Sequence, residues 1–339
     1  MHRQLLDFIR CPECSTFPLG CSAFDEDADG SVVNGVVWCR ACMAWYPIED
    51  RVLELLQPAL AYAADRASFH KTWQHRLQEV GLSVKAGQQA TEDVTEQLHQ
   101  QQHFDWYSDN DSQTYNTYER MRFWQLVDHH IFAAWCEQIK PDTRLLDVGC
   151  AQGRSTFKVT APHTTIVGFD ISKRLVAQAV ARARGRASMH FFVADATRMP
   201  IVDNSFDYLL IYGVLHHLPE PEQTCREAQR VLKDGGKLFC SENNITFLRP
   251  IFDWLQRRRP AWYEEAGEHS QMGRRELGKW LADAGLQARI STGVFVPPHL
   301  LNILPTQVGR ALFELSDRVL TAIPWLRDQG GLIVSTSVK

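Results

Sequence analysis

From residue 141 onward, apolar runs of strand length alternate with runs of helical spacing, and that alternation restricts the fold more than any other feature. Strand-like runs fall at 144–149, 165–170, 190–195, 206–213, 235–242, 289–296 and 331–337, with helices expected near 153–161, 172–184, 220–232 and 273–284. Such elements bury their apolar faces by wrapping helices around a mostly parallel sheet. The helix at 172–184 is the clearest: Ser172 caps it, Leu175, Val176, Ala179, Val180 and Ala183 share one face, and Gly185 follows its end. The predicted class is α/β, doubly wound, with a ligand at the carboxyl ends of the strands.

The first strand ends in "LLDVGCAQG", residues 145–153. A strand, a glycine turn and a helix, with an acid about 20 residues later, suit a nucleotide, and Asp170 in "TIVGFD" is placed to accept ribose hydroxyls. A pyrophosphate loop, however, wants G-x-G-x-x-G, whereas only Gly149 and Gly153 are glycines here and Ala151 holds the middle place. Asp147, two residues before the turn, repels a pyrophosphate and attracts the sulfonium and ammonium of S-adenosylmethionine. Asp195 in "FFVADAT" offers an acceptor for an adenine amine, with the Ala196 amide as a donor. Each acid also has a plainer use, capping the element that follows it.

The ordered series "LLDVGCAQG", "VGFDIS", "FFVADATRMPIVDNSFDYLLIYGVLHHL" and "LKDGGKL" resembles the motifs of class I S-adenosylmethionine-dependent methyltransferases, in particular the ubiquinone/menaquinone-biosynthesis and small-molecule group. The resemblance covers roughly residues 141–240. It implies a seven-stranded Rossmann-like sheet of order 3-2-1-4-5-7-6 with the last strand antiparallel. It implies further that Asp147 and the turn of Gly149, Ala151 and Gly153 hold the methionine portion, Asp170 the ribose, and Asp195 with Ala196 the adenine. Ile171 and Tyr212, beside these motifs, complete the candidate cofactor set. Ala151 departs from the usual glycine, adding a methyl and disfavouring positive φ. His216 and His217 in "YGVLHHLPEP" are candidate general bases. Methyl transfer depends mainly on in-line positioning, so catalysis without a base stays open. The strand before them is followed by neither an Asn-Pro-Pro-Tyr-type run nor a Pro-Cys pair, which favours an oxygen or nitrogen of a small molecule as acceptor.

Two Cys-x-x-Cys pairs, Cys11–Cys14 and Cys39–Cys42, stand apart from the other five of nine cysteines. Four thiolates from two such turns suit tetrahedral zinc with no open position, a structural site. The stretch "LLDFIRCPEC…VVWCRACMAWYPIEDRVLELL" also resembles the small zinc-ribbon protein that binds and activates certain tRNA, rRNA and protein methyltransferases, here fused in cis. Support of the catalytic domain and presentation of substrate are both open to it.

At 339 residues, 45% apolar and 22% charged, the chain has material for one large domain and a small one. The expected division is a zinc ribbon at 1–56, a helical linker or lid at 57–140 and the methyltransferase domain at 141–339. A net charge of −4 gives no field to hold a polyanion. With no signal-peptide core or membrane-length apolar run, the expected location is the cytoplasm. In the lid region, Trp106, Tyr107, Tyr115 and Tyr118 suit either a cover over the site or ordinary helix packing. Arg257, Arg258 and Arg259 in an aromatic-rich stretch, and the apolar insertion "VFVPPHLLNILPTQVGRALFELSDRVLTAIPWL", suit an apolar pocket wall or a patch touching membrane or a lipid-like substrate, with ordinary helix packing the favoured reading. Three functions are thus in play: methylation of a small acceptor of glycosyl, lipidic or secondary-metabolite type; methylation of RNA, with the ribbon recognising it; and a non-catalytic scaffold, supported by Ala151 alone.

Overall fold

The computed structural model describes residues 1–82, 93–109, 120–247, 272–296 and 298–339. The chain begins with an antiparallel meander: β1 (Gly20–Glu26), β2 (Val32–Trp38), β3 (Trp45–Glu49) and β4 (Val52–Glu54). Alternation in "GVVWCRACMAWYPI" sends Val37, Cys39, Tyr46 and Ile48 into the main core. The other face takes α1 (Ala63–Glu79), whose Phe69 and Leu77 pack with Phe24, Trp38, Trp45 and Trp73. The helix α2 (Thr95–Asp109) follows, then α3 (Arg122–Cys136), which buries Phe123, Val127, Ile131, Phe132 and Trp135 against the sheet.

The α/β part supplies β5 (Arg144–Val148), β6 (Thr165–Asp170), α4 (Lys173–Arg182), β7 (Met189–Val193), β8 (Phe206–Tyr212), α5 (Pro221–Val231), β9 (Leu232–Asn243), α6 (Arg274–Asp283), β10 (Gln287–Gly293), α7 (Pro298–Ile303), α8 (Thr306–Ala322) and β11 (Leu332–Val338). Strands β5 to β9 pair parallel to one another, and β11 lies antiparallel between β9 and β10. The predicted cap of α4 is present: Ser172 Oγ accepts the Leu175 amide at 3.2 Å, and Leu175, Val176 and Ala179 are buried.

Two expectations need correction. The seven strands of the α/β part stand side by side as β7-β6-β5-β8-β9-β11-β10, with β11 antiparallel, but the sheet does not stop at seven. Among the described residues it has eleven strands, in the order β1-β2-β3-β4-β7-β6-β5-β8-β9-β11-β10. The join is β4, which pairs parallel with β7 through Leu53 opposite Phe192 and Glu54 opposite Val193. A free strand edge next to the ribbon's last strand leaves unpaired amides and carbonyls on both sides, and pairing satisfies them. A second seam forms where Ile9 bridges Ile201 and Arg10 reaches Asp203 at 2.8 Å.

The helix expected at 153–161 is reduced to turns and a 3-10 turn at Thr156–Lys158. Ser155 and Thr156 give their hydroxyls to Asp147 instead, and short polar side chains used this way draw backbone away from a helix. Of the four aromatics of the lid region, two lie among the described residues. Tyr107 is buried, Trp106 is half exposed, and Tyr115, Tyr118, Arg257, Arg258 and Arg259 lie outside the described residues. In the C-terminal insertion, Leu301 and Phe313 are buried while Ile303, Val308, Leu315, Val319 and Trp325 face solvent. Among the described residues no helix is long and apolar enough to cross a membrane.

Candidate functional site

A cavity opens at the carboxyl ends of β5, β6, β7 and β8, where parallel strands in such a sheet leave a crevice. Of the sequence-predicted residues, Gly149, Asp170, Ile171, Asp195, Ala196 and His217 line it together. Gln97, Gln100 and Phe104 of α2 form the opposite wall. Phe104 packs with Ala151 and Leu175 and meets the His217 ring edge-on at 5.3 Å, so α2 lies across the mouth.

The turn after β5 is built as its sequence requires. Gly149 has φ +70°, and a Cβ there would lie 2.5 Å from the Val214 side chain. Ala151 does adopt the left-handed region, at φ +47°. Its amide is what the conformation delivers: it donates to Asp170 Oδ2 at 2.9 Å, while Ser172 N donates to Oδ1 at 3.0 Å. Asp170 is thereby both a cap and a wall of the cavity. Burial pushes its carboxyl up to about 6 despite those two donors. Asp195 caps the following 3-10 turn, accepting Thr197 N at 2.9 Å and Thr197 Oγ1 at 2.6 Å, and burial raises its pKa as well.

Asp147, Ala151, Gly153 and Tyr212 are not in the cavity wall. Asp147 lies fully buried beneath the turn, its Oδ2 accepting Ser155 Oγ at 2.7 Å and Thr156 Oγ1 at 2.5 Å. Burial pushes it up to about 7, the nearby Asp170 adding to the effect. Its Oδ1 has no hydrogen-bond partner among the described residues. A buried carboxylate oxygen left over in this way is unfavourable in its charged form, in keeping with the raised pKa. Gly153, at φ +85°, faces the Phe157 ring. Tyr212 points to the other side of the sheet and donates to Asp128 Oδ1 at 2.5 Å, because alternate residues of β8 face opposite ways.

The two histidines separate. His216 is turned under the loop, its Nδ1 2.7 Å from Glu242 Oε2 and its Nε2 3.4 Å from the Asn243 amide nitrogen. A carboxylate beside Nδ1 and an amide donor beside Nε2 assign the proton to Nδ1. Only His217 reaches the cavity. Glu242 was missed in the sequence. Its Oε1 accepts both the Val214 and Leu215 amides, at 3.0 and 2.8 Å, so one buried carboxylate fixes the whole 214–216 loop. An acid closing the apolar strand "KLFCSE" was the available signal.

The four predicted zinc ligands also come together, their Sγ atoms all within 4.8 Å of one another. Cys11 and Cys42 are 3.6 Å apart and Cys14 and Cys39 3.4 Å. Tetrahedral zinc with Zn–S bonds of about 2.3 Å requires sulfur separations of about 3.8 Å, so the set fits the ion.

Comparison with known proteins places two modules in the chain. Residues 146–240 match the family described as a methyltransferase domain, and residues 2–50 match the Trm112p-like protein family. A demethylmenaquinone methyltransferase of Staphylococcus aureus is 27% identical over 184 residues, 48% of this chain and 76% of the relative. Among solved structures, the complex between the Haloferax volcanii Trm112 methyltransferase activator and the putative methyltransferase is 17% identical, with a TM-score of 0.49 over 69% of this chain and 96% of that one. Haemonchus contortus phosphoethanolamine N-methyltransferase 2 in complex with S-adenosyl-L-methionine is 16% identical, with a TM-score of 0.46 over 62% of this chain and 52% of that one. The chain thus carries a methyltransferase domain behind a Trm112p-like module whose four cysteines lie in one cluster.

Proposed function

We propose that the chain transfers a methyl group to an oxygen or nitrogen of a small-molecule acceptor, held in the cavity beneath α2. The observation that carries this reading is the convergence of Asp170, Asp195 and His217 on one cavity at the strand ends. The bound cofactor supplies an electrophilic methyl on a sulfonium centre. Asp170, with Ile171 beside it, accepts from the ribose hydroxyls, and Asp195 with Ala196 brackets the adenine edge. Asp147 places negative charge under the 149–153 turn, where an ammonium or sulfonium is stabilised and a phosphate is not. His217 faces the acceptor and takes its proton during attack, while His216 and Glu242 hold the loop that carries it.

The apolar wall of Phe104, Val214, Leu218 and Pro219 suits a ring-bearing or lipidic acceptor, as does the quinone-type acceptor in the name of the Staphylococcus relative. An RNA acceptor is the second reading, favoured by the Trm112p-like match. Incubating the purified chain with methyl-labelled cofactor separates them. One arm holds metabolite extract from a strain lacking the gene, the other total RNA from the same strain. Label in a small molecule, lost in His217→Ala with cofactor binding kept, supports the first reading; label in RNA alone replaces it. Failure of the protein to bind S-adenosylmethionine, with Asp170→Ala silent, ends both.

A further inference from the structure

The turn after β6 carries Asp170 and Ile171 of the cavity wall, and a residue 109 positions earlier than Ile171 grips its outer side. Tyr62 Oη donates to the Ile171 carbonyl at 3.3 Å and accepts the Lys173 backbone N–H at 2.9 Å. One hydroxyl thus spans the turn, using its single proton on one backbone group and a lone pair on another. Burial, reinforced by the Asp105 carboxylate, raises the phenol well above its ordinary range, so it stays protonated and able to donate.

Tyr62 is itself tied to the ribbon. It is the N-cap residue of α1, and its amide donates to Glu54 Oε1 at 3.3 Å, the carboxylate at the end of β4 that also pairs with Arg66 at 2.7 Å. The Lys173 side chain makes a parallel link, reaching Glu49 of β3 at 2.8 Å and Asp65 of α1 at 2.6 Å. Two routes of hydrogen bonds therefore run from the last two ribbon strands to the turn that bears the candidate ribose ligand.

We infer that Tyr62 is a positioning residue of the cofactor site, fixing the backbone of the 170–173 turn so that cofactor affinity depends on how the ribbon and α1 dock. The inference rests on the reading of Asp170 as a ribose ligand. Tyr62 touches neither cofactor nor acceptor and acts through Ile171 and Lys173. Removing its hydroxyl deprives two backbone groups of a shared partner while leaving the ring in its packing.

The test uses the full chain carrying Tyr62→Phe. Calorimetry should show a roughly tenfold rise in the Kd for S-adenosylmethionine, with kcat at saturating cofactor changed less than about threefold. Amide hydrogen exchange in a peptide spanning 169–175 should speed up and be slowed again by saturating cofactor. A Kd within twofold of wild type, or unchanged exchange in that peptide, overturns the inference whatever happens to Tm. Asp170→Ala is measured alongside. If it weakens binding and Tyr62→Phe does not, the inference alone fails; if neither has an effect, the reading of the site falls with it. Should Tyr62→Phe fail to fold, Lys173→Gln, which cuts the link to Glu49 and Asp65, is held to the same two readouts.

Discussion

Binding of a positively charged cofactor should expel protons from the site, and the raised carboxyls of Asp147 and Asp170 give the direction and rough scale of the effect. Burial holds Asp147 at about 7 and Asp170 at about 6, both above the ordinary carboxylate range. A ligand bearing a sulfonium and an ammonium favours both ionised forms, so protons on these groups compete with it. If only the doubly ionised protein binds, affinity is divided by (1 + 10^(7−pH))(1 + 10^(6−pH)) with those two values. The factor is about 22 at pH 6 and about 2 at pH 7, a tenfold weakening over one unit, or about 1.4 kcal/mol. The sign follows from the raised pKa values: affinity is full only at about pH 8 and above, and declines as pH falls through the Asp147 value and then the Asp170 value. Calorimetric titrations at pH 6.0, 6.5 and 7.0, in buffers of unequal ionisation enthalpy, read both the Kd and the protons released. Staying at or below pH 7 avoids titrating the ligand's own α-amine, which loses its proton near ~8. In Asp147→Asn the pH dependence should shrink to about twofold, the share left by Asp170. A wild-type Kd constant within twofold from pH 6 to 7, with no buffer-dependent heat, refutes the reasoning.

Other outcomes follow from single residues. His190 is buried with neither ring nitrogen hydrogen-bonded among the described residues, and burial pushes it down to about 4. Its native state resists protonation, so stability is lost as pH falls from about 6.5 toward 4, reaching about 2 kcal/mol at pH 5. The raised carboxylates act in the opposite sense, so the measurement is the difference between wild type and His190→Phe in urea unfolding at pH 7 and pH 5. Equal pH slopes in the two proteins would discard the argument. Ala151→Gly relieves a positive φ at the cost of a looser unfolded chain, so stability should rise by about 0.5 kcal/mol and Tm by about 0.7 °C; a lower Tm would show that the methyl's contact with Phe104 matters more than the backbone. Cys39→Ser should lower zinc from about one ion per chain to none and destabilise the ribbon. A metal-free chain with unchanged Tm would contradict that assignment.

Much of the site was legible because its signals are local. Ser172 caps α4 within three residues, and Gly149 must take a positive φ before a helix-like turn. The acids at 170 and 195 stand where strands stop, which places them at the cavity whatever the partners are. Residues whose roles depend on distant partners could not be read the same way. Nothing near "LHH" says that Glu242 of a later strand will take His216 and leave His217 to the cavity. The lost helix at 153–161 has the same origin, since Ser155 and Thr156 respond to Asp147, a buried acid on the preceding strand.

The sequence by itself determined the alternation of strands and helices, the four cysteines of the cluster and the placing of an acid, Asp147, at the end of the strand before a glycine turn. Each is a matter of spacing or charge within a few residues, where the chain has little freedom. The tertiary structure alone decided that β4 joins β7 to make one sheet of eleven strands, and that Tyr62 therefore lies against the turn bearing Asp170. Strand pairing between distant segments uses backbone groups that every residue possesses, so no side chain announces it.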